Sequence, residues 1–364
     1  MSEKRLTRAV LDRIVPYEPG RPIELIARDL KLKRVIKLAS NENALGPSPK
    51  ALSALRTSVG QVHRYPDGGS TFLKEKLAAH CGVSKRQMIL GNGSDEIIVL
   101  ALRALVEPGE EVVVATPTFL IYSLAATAVG AKVVSVPLKN FRYDLAAMKR
   151  AITPETKVVF IANPDNPTGT IVTRLEVEGF LQGLPEDVVL FFDEAYYEFA
   201  AALRDYPRSL ELLGKRPVII SRSFSKAYGL AGLRIGYGIS SPDLIAYLER
   251  VREPFNVNRL AQAAASAALD DRAFLKRTLA FTEEARAYLS DELSRLGFKV
   301  IPSVANFVLF DCGRPAAPLF EALLKRGIIV REMGAWGLDR FIRVTAGRPQ
   351  ENRAFIKALK EVLK

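Results

Sequence analysis

Residues 218–234, VIISRSFSKAYGLAGLR, join a short apolar run to a segment rich in hydroxyl, basic and small side chains. The near-continuous apolar run at 218–221 is typical of a strand buried on both faces of a sheet. The polar side chains that follow it are Arg222, Ser223, Ser225, Lys226 and Arg234. Because ligands of open α/β sheets bind beyond the carboxyl ends of the strands, the stretch predicts a buried strand with a ligand site at its end.

Five similar apolar runs precede this one, at residues 87–90, 111–115, 132–136, 157–162 and 188–193. Helical periodicity separates several of them, for example at 95–106 and 173–183. Short buried strands that alternate with amphipathic helices are typical of an α/β domain with a mainly parallel sheet. We therefore predict such a domain for this part of the chain.

The pattern changes after about residue 240. It predicts amphipathic helices at 242–252 and 259–297, short strands near 298–301, 305–310 and 341–345, and a last helix from about 350. This mixture indicates a second, smaller α+β domain. We expect an N-terminal arm that packs with the small domain or a partner subunit, a large domain and a small domain, at residues 1–44, 45–260 and 261–364.

The composition is that of an ordinary globular protein, with 48% hydrophobic and 25% charged residues among 364. The two cysteines, Cys81 and Cys312, and the two histidines, His63 and His80, disfavour a metal site and a disulfide framework. No apolar stretch approaches the ~18 residues of a membrane span, and the N-terminus lacks the apolar core of a secretion signal. We therefore expect a cytoplasmic protein that does not bind a membrane.

The formal net charge is +12. A positive surplus aids solubility and can also steer anionic small molecules towards a site. The sequence has no dense basic run interleaved with aromatic residues, no helix-turn-helix pattern and no zinc finger. Nucleic acid is therefore not an expected partner.

Functional side chains also follow the other predicted strands, namely Ser94, Asp95, Phe119, Asn166, Asp193 and Tyr196. Each alone has an ordinary explanation, since such residues cap helices, favour turns, pack at rims or form buried ion pairs. Together they supply a carboxylate, an amide, a phenol and an anion cradle beside the amine of Lys226. This combination predicts pyridoxal 5'-phosphate (PLP) as the ligand.

Three motifs resemble those of the fold-type I PLP-dependent aminotransferases in content, order and spacing: NPDNPTG at 163–169, DEAY at 193–196 and SFSKAYGLAGLR at 223–234. The resemblance covers essentially the whole chain. It implies a mainly parallel seven-stranded sheet in a large domain, with a smaller α+β domain. It also implies that Lys226 forms a Schiff base with PLP and, once displaced by substrate, moves protons as a base.

The same resemblance assigns the other cofactor roles residue by residue. Asp193 is expected at the pyridine nitrogen, and Tyr196 and Asn166 at the phenolic oxygen of the ring. Phe119 is expected to stack on the ring face. The residues expected to hold the phosphate are Ser94, Asp95, Ser223, Ser225 and Arg234.

Within that family, the segments at 16–30, 38–49, 64–68, 254–258 and 337–352 resemble the histidinol-phosphate aminotransferases. This resemblance implies a homodimer in which Tyr65 reaches the cofactor phosphate of the other subunit. The substrate residues it implies are Tyr17, Asn43, Arg331, for a substrate phosphate, and Arg343, for a carboxylate. Ala44 and Arg348 depart from the pattern, because relatives usually carry a proline and a small polar residue there.

The expected reaction is a ping-pong transfer of an amino group between L-histidinol phosphate and 2-oxoglutarate in histidine biosynthesis, so the partners are small-molecule amino donors and 2-oxo acid acceptors. An aromatic amino acid aminotransferase and a PLP-dependent threonine-phosphate decarboxylase are the alternatives. A serine acyltransferase, suggested by S-x-x-K at 223–226, is disfavoured because the chain has no K-T-G motif. A PLP-sensing regulator is disfavoured because the first ~45 residues hold no DNA-binding pattern.

Overall fold

The computed structural model describes residues 6–16, 20 and 22–364, so the predicted substrate residue Tyr17 lies outside the described residues. The strands are β1 (Ile36–Lys37), β2 (Met88–Gly91), β3 (Glu111–Thr116), β4 (Lys132–Pro137), β5 (Thr156–Ala162), β6 (Val189–Asp193), β7 (Val218–Ser223), β8 (Gly236–Ile239), β9 (Lys299–Ile301), β10 (Phe307–Asp311), β11 (Ile328–Ile329), β12 (Arg331–Glu332) and β13 (Phe341–Thr345).

The α-helices are α1 (Ile23–Asp29), α2 (Pro49–Ser58), α3 (Thr71–Cys81), α4 (Ser94–Leu105), α5 (Ile121–Val129), α6 (Leu145–Arg150), α7 (Arg174–Leu181), α8 (Tyr197–Ala200), α9 (Pro242–Arg250), α10 (Arg259–Leu269), α11 (Arg272–Arg295), α12 (Ala317–Leu324) and α13 (Pro349–Val362). Short 3-10 helices lie at Ala9–Arg13, Val59–Gln61, Lys85–Gln87, Ser209–Leu212, Ala231–Leu233 and Gly334–Trp336.

Seven strands form the larger sheet, in the order β2-β8-β7-β6-β5-β3-β4. The strands from β3 to β7 pair in parallel, whereas β8 is antiparallel to both β7 and β2. β6 and β7 are buried along their whole length, as near-continuous apolar runs predict. The predicted α/β class with a mainly parallel sheet is therefore confirmed.

β8 is not among the predicted strands, because its sequence, GYGI, contains two glycines and only one aliphatic residue. A Cβ at Gly236 would lie 2.5 Å from the Ser94 amide nitrogen. A Cβ at Gly238 would lie 2.9 Å from Cγ2 of Ile97. The glycines therefore let the start of α4 lie directly on the sheet, next to the end of β7.

The second unit is built on a four-stranded antiparallel sheet, in the order β12-β13-β10-β9. The stretch at 259–297, predicted as one helix, is two helices, because the Asp271 side chain accepts a hydrogen bond from the Phe274 amide at 3.2 Å and starts α11 anew. The buried alanines of α10 pack in the larger core, whereas Leu289 and Leu293 of α11 pack in the second. The two cores therefore divide the chain within this pair of helices, and the domain boundary at residue 261 stays a prediction.

The N-terminal arm reaches both units. β1 pairs in parallel with β11, and Ile36 and Leu38 are buried in the second core. The arm then continues towards the carboxyl ends of the large sheet, where Asn41 is buried. Among the described residues, no helix combines the length and the apolar character that crossing a membrane requires.

Candidate active site

The carboxyl ends of β5, β6 and β7 border a cavity that also receives residues from the N-terminal arm, from α4 and from the segment before α5. Ten of the eleven residues predicted to bind the cofactor line it: Ser94, Asp95, Phe119, Asn166, Asp193, Tyr196, Ser223, Ser225, Lys226 and Arg234. The lining also includes Ser40, Glu42, Tyr122, Ala162, Pro164, Ala195 and Ala231. Side chains that are far apart in the sequence therefore face one cavity.

Asp193 ends β6 with its carboxylate buried in the cavity wall. Its Oδ2 accepts a hydrogen bond from Tyr122 Oη at 2.6 Å, and its Oδ1 accepts from Ser221 Oγ at 2.8 Å and from the Ala195 amide at 3.0 Å. Burial raises the pKa of the Asp193 carboxyl, while these hydrogen bonds oppose the rise by favouring the charged form. A buried carboxylate held in this way is suited to a cationic partner in the cavity.

Tyr196 faces the cavity beside Lys226, whose Nζ is 5.5 Å from the centroid of the phenol ring. The Tyr196 hydroxyl accepts a hydrogen bond from Asn41 Nδ2 at 2.9 Å. Asn41 is 1% exposed and has a φ of +55°, a region that asparagine tolerates better than most residues. Its backbone amide donates to Thr345 Oγ1 at 2.9 Å, so β13 and the arm together orient the phenol.

Asn166 and Arg343 contact each other where the two units meet. Arg343 Nη1 donates to Asn166 Oδ1, and Arg343 Nη2 donates to the Ala39 carbonyl at 3.1 Å. Arg343 is buried and belongs to β13, whereas Asn166 follows β5. The predicted substrate arginine therefore touches a residue that is predicted to hold the cofactor.

Lys226 lies in a tight loop between β7 and β8. The loop closes on itself because the Leu230 amide donates to the Phe224 carbonyl at 3.0 Å. Gly229 has a φ of +70°, and a Cβ at this position would lie 2.3 Å from the Gly46 carbonyl oxygen. Glycine is therefore required, and the loop that carries the lysine packs directly on the N-terminal arm.

An anion cradle lies where α4 begins. Gly93 has a φ of +83°, and a Cβ there would lie 2.5 Å from Arg234 Nη2, so the glycine lets the guanidinium approach the helix. Arg234 Nη2 also donates to Asp95 Oδ2 at 3.1 Å. The free amides at the start of this 12-residue helix attract anions, and the hydroxyls of Ser223 and Ser225 line the same cavity. The cradle is suited to a phosphate.

Tyr65 and Asn43 lie apart from the cavity lining. Tyr65 is 78% exposed, and its ring stacks on that of Phe255 with the centroids 4.7 Å apart. Asn43 Nδ2 donates to the Ala227 carbonyl at 3.0 Å, which fixes the backbone next to the lysine of the cavity. Contacts of Tyr65 and Asn43 with a cofactor or substrate stay predictions.

Arg331 and Arg343 are direct partners in the antiparallel pair of β12 and β13. Residues that oppose each other in such a pair point to the same side of the sheet, where like charges repel. The Arg331 guanidinium also lies 5.2 Å from the centroid of the Trp336 ring. The register thus places two cations side by side, an arrangement suited to a ligand with two negative charges.

The sequence did not predict Tyr122, Ser221 or Asn41. Tyr122 lies one helical turn after Phe119, so helical spacing is a signal that could have revealed it. Ser221 is the polar end of an apolar run, and the strand register pairs it with Asp193. Asn41 gives no local signal, because its contact with Tyr196 joins residues that are 155 positions apart.

The two positions that depart from the family pattern contact each other. Arg348 Nε donates to the Ala44 carbonyl at 2.8 Å. The Arg348 amide donates to Glu351 Oε2 at 2.7 Å, at the start of α13. The additional cation is therefore held against the arm, outside the cavity lining.

A second group of charges is buried behind the cavity wall. Glu194 and Arg222 form an ion pair at 2.8 Å, with side chains that are 0% and 4% exposed. Glu198 lies close enough to both residues for their charges to affect its pKa. Its Oε2 is shielded from water and has no hydrogen-bond partner among the described residues. Burial raises the pKa of the Glu198 carboxyl from 4.5 to about 7. Glu194 is thus paired directly with Arg222, whereas Oε2 of Glu198 has no hydrogen-bond partner among the described residues.

We predict that Glu198→Gln stabilises the protein at alkaline pH. Because the folded pKa of Glu198 exceeds its unfolded pKa, the folded state binds more protons between these two values, and stability falls as pH rises to about 7. The variant lacks this loss, so its free energy of unfolding at pH 8 should exceed that of the wild type by roughly 1 to 3 kcal/mol. At pH 5 most of that advantage should disappear.

Urea unfolding at both pH values measures this difference. Glu321→Gln, on the exposed face of α12, is the matched control and should show no such pH dependence. An advantage of the same size at pH 5 and pH 8 would contradict the assignment of the shifted pKa to Glu198.

Comparison with known proteins agrees with this geometry. The family model of aminotransferase class I and II matches residues 33–359. Histidinol-phosphate aminotransferase of Moorella thermoacetica is 49% identical over 352 residues, which are 96% of this chain and 91% of that protein. The crystal structure of histidinol-phosphate aminotransferase from Sinorhizobium meliloti in complex with pyridoxal-5'-phosphate has a TM-score of 0.91 and 33% identity, covering 100% of this chain and 98% of that chain. The predicted family is confirmed: the chain belongs to the class I and II aminotransferases.

Proposed function

We propose that this aminotransferase uses PLP to move an amino group between L-histidinol phosphate and 2-oxoglutarate. The main support for this substrate is that Arg331 of β12 and Arg343 of β13 lie directly opposite each other in the sheet. Two guanidinium groups on one side of the sheet match a phosphate dianion, or the two carboxylates of the 2-oxo acid. The relatives named as histidinol-phosphate aminotransferases support the same substrate.

The cavity fits PLP because its donors and acceptors match the parts of that molecule. Bound PLP supplies an aldehyde that bonds to amines and a ring that withdraws electrons from the reacting carbon. Asp193 offers a buried carboxylate to the ring nitrogen, and Phe119 offers a flat face to the ring. The cradle at the start of α4, with Arg234, is suited to the phosphate.

The hydrogen-bond directions at Tyr196 and Asn166 suit the phenolic oxygen of the ring. The Tyr196 hydroxyl already accepts from Asn41, so its own hydrogen remains to be donated into the cavity. Asn166 Oδ1 already accepts from Arg343, so the amide NH₂ is the group that is left to donate. Both residues therefore present donors to an oxygen that carries negative charge.

Lys226 is the amine in the cavity lining, and we assign it the chemical step. With PLP bound, the Lys226 Nζ would be the group that holds the cofactor aldehyde until a substrate amine takes its place. The free Nζ would then be the base that accepts the proton of the substrate Cα and holds it for return. One lysine thus serves as the anchor and as the base, with no second group needed at that atom.

In both half-reactions the substrate end of the site must bind two negative charges. Histidinol phosphate carries its charge on one phosphate, whereas glutamate and 2-oxoglutarate carry theirs on two carboxylates. Arg343 touches the cofactor residue Asn166, and Arg331 is opposite Arg343 on the outer strand β12. We therefore assign the group nearest the reacting carbon to Arg343 and the outer negative charge to Arg331.

We predict that Arg331→Met lowers kcat/KM for histidinol phosphate about 100-fold, since a lost charged hydrogen bond costs about 1.5 to 3 kcal/mol. The value for histidinol, which has no phosphate, should change less than about threefold. Both values come from stopped-flow loss of the visible absorbance of the bound cofactor. Arg340→Met is the matched control, because Arg340 is exposed and pairs with Asp311.

This measurement, extended to phenylalanine and phosphothreonine, separates the proposed function from the two alternative enzyme activities. Equal losses with the two substrates would remove the phosphate role of Arg331. If the wild type reacts as fast with phenylalanine as with histidinol phosphate, the enzyme is an aromatic amino acid aminotransferase. Release of carbon dioxide from phosphothreonine would instead establish the decarboxylase.

We predict that Tyr122→Phe moves the acid limit of PLP binding to higher pH. The Tyr122 hydrogen bond lowers the pKa of Asp193, which burial raises, so its loss raises that pKa further. A protonated Asp193 no longer attracts a cationic ring nitrogen. The pH at which PLP affinity falls should therefore be higher in the variant than in the wild type.

Spectroscopic titration with PLP between pH 5 and pH 8 tests this shift. Tyr143→Phe is the matched control, since Tyr143 is also buried but its hydroxyl contacts Thr118 and the Ala162 amide instead of Asp193. A shift of equal size in both variants, or in neither, would contradict the role of Tyr122.

We further propose a homodimer in which Tyr65 completes the phosphate site of the other subunit. The support is an exposed group of large side chains on or beside the segment at 59–72, which includes Val59, Val62, Tyr65 and Phe72. Exposed apolar groups of this kind are typical of subunit contacts. Tyr65 stands among them and not in the cavity of its own chain.

We predict that mixing inactive variants restores activity only when their defects lie in different sites. A mixed dimer of Lys226→Ala and Tyr65→Ala chains has one intact site if Tyr65 acts across the interface. Refolding the mixture at limiting PLP should give about a quarter of wild-type activity, because random pairing makes half of the dimers mixed, each with one of two sites intact. Mixing Lys226→Ala with Asp193→Ala chains is the control and should stay inactive, and equal results for the two mixtures would refute the shared site.

A cytoplasmic location in histidine biosynthesis completes the proposal. Cys81 and Cys312 are both free, which suits a reducing compartment.

A further inference from the structure

Residues 255–259, FNVNR, lead into α10 and include its first residue, and we call this segment the 255–259 turn. It overlaps residues 254–258, one of the segments that resemble the histidinol-phosphate aminotransferases, and the cavity lining does not explain the role of that segment. Phe255 has a φ of +57°, a backbone conformation that a phenylalanine rarely adopts. The turn is not part of the cavity lining, yet its side chains contact three segments that lead to the phosphate residues.

Asn256 fixes the path of the chain into α4. Its Nδ2 donates to the Leu90 carbonyl at 3.0 Å and to Glu96 Oε2 at 2.7 Å. Glu96 Oε2 also accepts from the Asn92 amide at 2.5 Å. Leu90 lies in β2 and Glu96 in the first turn of α4, so one amide group spans the loop that leads to Ser94.

Asn258 holds the backbone immediately before Arg234. Its Nδ2 donates to the Leu233 carbonyl at 3.0 Å. Its Oδ1 accepts from the Ala261 amide at 2.8 Å and so caps α10. Arg234 itself has a φ of +54°, so the direction in which its side chain leaves the chain depends on how this neighbour is held.

Arg259 and Phe255 hold Tyr65. Arg259 Nη2 donates to the Tyr65 carbonyl at 2.7 Å, and Nη1 donates to Gln61 Oε1 at 3.3 Å. The Phe255 ring stacks on the Tyr65 ring at 4.7 Å. The backbone and the ring of Tyr65 are thus both set by the turn.

We infer that the 255–259 turn positions the anchors of the cofactor phosphate: the start of α4 and Arg234 for its own site, and Tyr65 for the site of the other subunit. The inference rests on the proposed function, because it takes the phosphate to be that of bound PLP. The anchors belong to three separate segments, and side chains of the turn contact each of these segments. It therefore ties the phosphate sites of both subunits to one short stretch of chain.

The expected effect is on phosphate affinity and not on the chemical step. A phosphate held by several donors binds tightly only if those donors are already in place, since ordering them on binding costs free energy. The turn acts through Leu233, Glu96 and Tyr65 and touches no reacting atom. Its residues are positioning residues, so their loss should leave recognition of the pyridine ring intact.

The test compares the dissociation constants of PLP and pyridoxal, which share a ring and differ in the phosphate. Asn258→Ser keeps a hydroxyl to cap α10 but removes the donor to the Leu233 carbonyl. It should weaken PLP binding about tenfold, the equivalent of one hydrogen bond, and change pyridoxal binding less than twofold. Asn256→Ser should show the same pattern and replaces the first variant if that does not fold. Asp271→Ser, an equivalent change at the cap of α11, should alter neither constant.

Equal weakening of both ligands, or of neither, would overturn the inference while leaving the proposed function intact. A wild type that binds neither ligand would overturn the proposed function and the inference together. A separate measurement tests the contact of the turn with Tyr65. Arg259→Met and Tyr65→Ala should each weaken PLP binding, and the double variant should bind PLP no more weakly than Tyr65→Ala alone. Additive losses would show that Arg259 acts elsewhere.

Discussion

The buried carboxylate of Asp193 is the constraint on which the rest of the site depends. A charge placed at the end of a central strand is costly unless donors surround it. Ser221 provides one because β6 and β7 are in register at these residues, and Tyr122 provides another from α5. The strand order and the position of α5 are therefore not separable from the site, since a shift of either would leave a buried charge without its donors.

The N-terminal arm determines which hydrogen atoms face the cavity. Asn41 donates a hydrogen bond to the Tyr196 hydroxyl oxygen, and Arg343 donates one to Asn166 Oδ1. Because these acceptor atoms are already used, Tyr196 and Asn166 are left as donors to the cavity. Neither Asn41 nor Arg343 belongs to the large sheet, and both are held by β13 or by residues that follow β1. The large unit supplies Tyr196 and Asn166, whereas the arm and the second unit determine that these side chains act as hydrogen-bond donors.

The sequence predicted the parts of this architecture that follow local rules. Near-continuous apolar runs revealed six strands of the large sheet, and the polar residues after them gave ten residues of the cavity lining. β8 was not predicted because its glycines serve the close approach of α4, and the break at Asp271 was missed because apolar periodicity continues across it. The contact between Asn41 and Tyr196 and the opposition of Arg331 and Arg343 depend on tertiary packing and register, which single segments do not encode.

The two ends of the site are built in different ways, and this has a physical consequence. At the cofactor end, the start of α4, Arg234 and Asp193 all belong to the large unit, and glycines 93 and 236 let its backbone segments approach without side chains between them. At the substrate end, Arg343 bridges from the second unit to Asn166, and its strand neighbour is another cation. A ligand that binds at Arg343, as proposed for the substrate, therefore acts on a contact between the two units. The groups that face the cofactor thus belong to the large unit, whereas the proposed substrate residues Arg331 and Arg343 belong to the second unit, so their position depends on how closely that unit is held against the large one.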